Sequence, residues 1–162
     1  MTHPAPPDEG GEAPCYAHLF PAFGPARPAL LFVCPDDAGL ALMAARFAVL
    51  LCAGRVEARS AGIAPAGAVR PDVVDAMAEV GLDLSRAVPA AYVAAMLTTV
   101  DVAVFMGCTP PAAAPPAVEV LVWDLALPDD ADATATGVVR DRVRERVRDL
   151  LDRLDVRVVH VP

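Results

Sequence analysis

A chain of 162 residues with 56% hydrophobic and 21% charged side chains has room for one domain with a substantial buried core. That hydrophobicity excludes disorder of the whole chain, and no apolar stretch reaches the roughly 18 residues that would suggest a membrane span. With 13 basic against 21 acidic residues the net charge is -8, the wrong sign for a nucleic-acid partner. Lys, Asn and Gln are absent and Ile63 is the only isoleucine, the mark of GC-rich coding, so abundant Ala and Pro carry little functional weight.

Residues 1–28 read as a flexible, Pro-rich arm, which Tyr16, Leu19, Phe20 and Phe23 could pin to the domain surface. Its first eleven residues have no apolar segment of signal-peptide type. The four cysteines (Cys15, Cys34, Cys52, Cys108) form no CxxC pair, so neither a zinc site nor a disulfide framework is expected. Free thiols in the cytoplasm are the expectation, with no metal and no cofactor. His3, His18 and His160 lie in the arm or tail and suggest no catalysis.

Residues 29–162 are expected to form the domain. Ala29–Cys34 is an unbroken apolar run, as in a strand buried on both faces. A loop over 35–39 leads into an Ala/Leu-rich helix over 40–53, closed by Gly54. A second strand over 55–59 ends in Ser60-Ala61-Gly62, and Pro71 opens a helix whose apolar face runs through Val73, Val74, Met77 and Val80. A short helix over 89–98, a buried strand over 100–106 and a strand over 118–123 follow. The last helix carries a stripe of Val139, Val143, Val147, Leu150, Leu151 and Leu154, with its Arg and acidic residues expected to face solvent. The alternation over 156–161 reads as a terminal strand, a candidate edge or homodimer element. Strands alternating with helices predict an α/β fold: a three-layer, doubly wound sheet of four parallel strands with helices on both faces.

Ligands in such folds sit at the carboxyl ends of strands. Cys34, leaving a buried strand toward a helix N-terminus, has the setting that lowers a thiol pKa and cradles an oxyanion. An Asp on a facing loop could protonate a leaving group. The succession of Leu31-Phe32-Val33-Cys34, Ala38-Gly39, Arg59-Ser60-Ala61-Gly62, the run 76–85, Met106-Gly107-Cys108, Trp123-Asp124 and Leu127-Pro128-Asp129 resembles the low-molecular-weight protein tyrosine phosphatases, most of all their thioredoxin-coupled arsenate reductase branch. The resemblance covers about residues 29–154. It implies that Cys34 is the nucleophile, Cys108 the second, resolving cysteine and Asp129 the general acid, although Asp130 stands where the family has proline. The family's third reductase cysteine has no counterpart in 109–114.

The family's oxyanion loop runs from Cys through five residues to Arg and Ser or Thr. Here it reads Cys34, Pro35, Asp36, Asp37, Ala38, Gly39, Leu40, Ala41. Leu40 replaces the Arg that grips two oxygens, and Ala41 replaces the hydroxyl that assists the departing thiolate. Losing one such stabiliser costs on the order of 3 kcal/mol. A carboxylate about 4 Å from a bound anion adds roughly 1–4 kcal/mol against it. Arg46 lies about two turns into the first helix and is expected to face away, Arg59 and Arg70 belong to other segments, and none is expected to substitute. Cys52 reads as core, Cys15 as incidental, and a turn-capping role for Asp129 stays open beside the catalytic one. Three functions stay open: a catalytically degenerate member that binds a small molecule or protein partner through the old pocket, a thiol enzyme of altered specificity using Cys34 and Cys108, and an assembly role through the tail or arm.

Overall fold

The computed structural model describes residues 27–160. Residues 1–26 of the arm, with Cys15 and the aromatics, lie outside the described residues. β1 (Ala29–Cys34), β2 (Glu57–Gly62), β3 (Val102–Met106) and β4 (Glu119–Trp123) form one sheet in the order β2-β1-β3-β4. All three pairings are parallel, running from Ala29↔Glu57, Leu30↔Val102 and Val102↔Glu119. The expected fold class is what the chain adopts.

The central strands are buried almost throughout, because their side chains are apolar at every position and meet protein on both faces. Leu30, Phe32, Cys34, Val102, Val104 and Met106 look toward three helices: α1 (Leu40–Leu51), α2 (Pro71–Ala78) and α3 (Ala133–Arg153). Leu31, Val33, Ala103 and Phe105 look the other way, where the cover is a 3-10 helix, Ala94–Thr99, and its flanking loops. From β1 the chain goes first to β2 on one side and later to β3 on the other. The carboxyl end of β1 is therefore the switch point of the sheet, and Cys34 sits on it.

Several local expectations need correction; the second strand starts at Glu57 rather than at 55. The helix expected over 89–98 is a 3-10 turn starting at Ala94, because Gly62 takes the preceding main chain: its N–H donates to Ala90 O at 2.8 Å and its carbonyl accepts from Tyr92 N at 2.8 Å. The third strand starts at Val102, two residues late. Over 156–160 there is no strand; the Val159 N–H instead donates to the last-turn carbonyl of α1, Leu51 O, at 2.6 Å. The polar face of α3 is not wholly solvated either. Arg140 is buried and donates to Ala76 O at 2.6 Å and Glu79 at 2.9 Å, a cation on the open carbonyl end of α2. Among the described residues no helix is long and apolar enough to cross a membrane.

Candidate functional site

β1 delivers Cys34 to the carboxyl edge of the sheet, 1% exposed, and the loop after it curls back to Gly39, the N-cap of α1. The main-chain N–H groups of Ala41, Asp37 and Asp36 favour the Cys34 thiolate and pull its pKa down. The Asp36 carboxylate works against them. Asp36 Oδ1 accepts from the Ala38 N–H at 3.1 Å and from the Cys34 thiol at 3.8 Å. Burial pushes the Cys34 thiol up to about 11, against the pull of those N–H groups, and the Asp36 charge adds to the rise.

This elevation has a kinetic consequence. Only the thiolate is nucleophilic, and at pH 7 a pKa of about 11 leaves roughly one thiolate in ten thousand. Alkylation of Cys34 is expected to accelerate about tenfold per pH unit from 7 to 10 without a plateau. Asp36→Asn should shift the profile to lower pH. Peptide-resolved iodoacetamide labelling measures both; a plateau below pH 8 in the wild type would refute the elevation.

Asp37 turns away from the sulfur. It is fully buried with φ +49, and its Oδ2 accepts from the Ala90 N–H at 2.8 Å. Burial raises its pKa; the Ala90 N–H and the Ser60 hydroxyl beside the carboxylate offset part of that, and Asp36 adds to it. Its Oδ1 has no bond of ordinary geometry. Asp37 thus acts as an internal brace between the loop and residue 90.

Over the sulfur lies a cleft of about 230 Å³, lined by Cys34, Pro35, Asp36, Leu40, Arg70, Gly107, Leu125, Ala126, Leu127 and Asp129. The loop from β4 to α3 thus brings Asp129 to the same space as Cys34, and Leu40 occupies its wall at the first turn of α1. Ala38 and Ala41 are buried behind that wall, and Gly39 is the point where the two loops touch. A Cβ on Gly39 would stand 2.3 Å from Leu127 Cδ1.

Cys108 is not among the residues lining this cleft. Gly107, with φ +67, sends the chain to the second face of the sheet, where the Cys108 thiol donates to Val33 O at 3.7 Å and burial raises its pKa. Cys52 is core, its thiol donating to Ala48 O at 3.0 Å.

Arg70, one of the arginines not expected at the site, is found there. It lines the cleft, with its guanidinium forked on Asp72 at 3.0 and 2.8 Å and donating to Pro128 O at 2.8 Å. The Arg-Pro-Asp spacing at the start of α2 was the available signal, since an arginine just before a helix readily pairs with an acid two residues on. Among the described residues no three His, Cys, Asp or Glu side chains gather closely enough to hold a metal ion.

No protein-family model matches the chain. A Halobacterium salinarum protein described as "Putative arsenate reductase" is 33% identical over 126 residues, which cover 75% of this chain and 89% of that protein. The thioredoxin-dependent arsenate reductase of Corynebacterium glutamicum superposes with a TM-score of 0.69 at 26% identity over 79% of this chain. The match spans 62% of the length of that structure. An arsenate reductase in its phosphate-binding state gives a TM-score of 0.64 at 29% identity, over 78% of this chain and 98% of that one. The tyrosine phosphatase Wzb from Escherichia coli K30 gives 0.66 at 14% identity over 79% of this chain and 99% of its own, a likeness of fold alone. With this sheet, a cysteine at its switch point and that degree of identity, the chain belongs to the superfamily of low-molecular-weight protein tyrosine phosphatases and arsenate reductases.

Proposed function

We propose that this protein is a catalytically degenerate member of its family, a cytoplasmic binding protein whose cleft takes a neutral or cationic small ligand, or a side chain of a protein partner, in place of phosphate or arsenate. The observation that carries this reading is the cleft wall: Leu40 stands at the first turn of α1, where the family presents its oxyanion-binding arginine, and Asp36 lies beside the sulfur. An entering dianion would meet two lining carboxylates, Asp36 and Asp129, and one arginine whose charge is already matched by Asp72. Each uncompensated carboxylate at about 4 Å disfavours it by roughly 1–4 kcal/mol. The missing guanidinium costs on the order of 3 kcal/mol more. The leucines at positions 40, 125 and 127 suit an apolar ligand body.

The alternative, a thiol enzyme using Cys34 with Cys108, is less well supported, because the two thiols lie against opposite faces of the sheet. Amide-resolved NMR titration tests the reading. Phosphate and arsenate up to several millimolar should leave residues 34–41 unmoved, whereas neutral or cationic fragments should shift them together with 125–129. Saturable binding of either oxyanion below a millimolar would overturn it.

A further inference from the structure

We propose that Arg70 is a positioning residue that latches the Pro128-Asp129 loop over Cys34, so that the cleft has a closed state maintained by a chain of bonds starting on α3. Arg70 joins both walls of the cleft. Its main-chain N–H donates to Ala38 O at 3.1 Å, on the cysteine loop, and its guanidinium donates to Pro128 O at 2.8 Å, next to Asp129. The guanidinium is itself held. Both of its bonds to Asp72 form a planar fork, and Asp72 also accepts the hydroxyl of Thr136, a fully buried residue in the first turn of α3. The fork fixes the side chain before it meets Pro128, so the bond to that carbonyl needs little further ordering. The facing loop also has an apolar anchor near the latch, Leu127, which packs on the core directly over Gly39. Together the polar and apolar anchors hold the loop on a cleft whose cysteine, Cys34, is buried.

The latch holds whatever ligand the cleft takes, and a neutral reagent tests it independently of the proposed ligand class. The full chain is labelled with iodoacetamide at a fixed pH of about 8.5, and peptides carrying Cys34 and Cys52 are followed by mass spectrometry. A charge-assisted hydrogen bond is worth roughly a ten- to hundredfold bias in such an opening equilibrium. Arg70→Ala should therefore speed labelling of Cys34 about tenfold or more, with Cys52 as slow as in the wild type. Lost charge alone has the opposite sign, because removing a cation near a thiol disfavours its thiolate and slows it. Thr136→Val, which changes no charge, should give a smaller rise in the same direction. Unchanged or slower labelling of Cys34 in Arg70→Ala overturns the latch. So does a parallel rise at Cys52, which would mean that the whole domain has loosened.

Discussion

Leu40→Arg combined with Ala41→Ser and Asp36→Asn is expected to raise phosphate-ester hydrolysis well above the wild-type level. Three main-chain N–H groups, of Asp36, Asp37 and Ala41, already favour negative charge on the Cys34 sulfur. What the loop lacks is cationic charge and a hydroxyl for the departing thiolate, and Asp36 works against both an anion and a thiolate. Leu40 already lines the cleft, so a longer side chain there enters the space above the sulfur. One preorganised oxyanion donor is worth about 100- to 1000-fold in turnover. The triple variant should therefore hydrolyse p-nitrophenyl phosphate at least about 100-fold faster than the wild type, and Cys34→Ser should abolish the gain. A folded triple variant with no gain would place the defect outside these three positions.

Gly62→Ala is expected to be the most damaging small substitution near the site. Gly62 ends β2 and lies under the cysteine loop, where a Cβ would stand 2.7 Å from both the Asp36 carbonyl carbon and the Asp37 nitrogen. Both atoms are backbone and cannot rotate aside, so the strand or the loop must shift. Either shift strains the bonds from Gly62 to Ala90 and Tyr92 and the brace from Asp37 to Ala90. Overpacking of this kind costs about 1–3 kcal/mol, and the backbone obstacle puts this case at the upper end. Urea unfolding should show that loss and a thermal midpoint lower by several degrees. Gly67→Ala is the control: nothing lies within 4 Å of its Cβ, and the change should be neutral within about 0.5 kcal/mol.

The parts of this molecule that were legible in the sequence are those decided locally. β1 and β3 announce themselves because strands buried on both faces must be apolar throughout, and α3 because its stripe of Val143, Val147, Leu150 and Leu151 repeats at helical spacing. The meeting of Cys34 and Asp129 around one cleft also follows from the parallel topology, which gathers the strand ends.

What was not legible depends on partners far away in the chain. Arg70 acquires its place through Ala38 and Pro128, the latter 58 positions on, and no local pattern encodes that bond. Tyr92 and Ala90 are drawn out of a helix by Gly62. Cys108 follows a buried strand just as Cys34 does, yet the left-handed turn at Gly107 sets it on the other face of the sheet. The tail over 156–160 has the alternation of a strand but bonds to the end of α1, and among the described residues it pairs with no strand.

The most direct measurement compares the wild-type chain with Cys34→Ser for p-nitrophenyl phosphate hydrolysis and for thiol-coupled arsenate reduction at pH 7. A thiol pKa pushed up to about 11, a carboxylate beside the sulfur and a leucine in the cleft wall predict that the two proteins are indistinguishable in both reactions. Turnover in the wild type that disappears with Cys34→Ser would contradict the account.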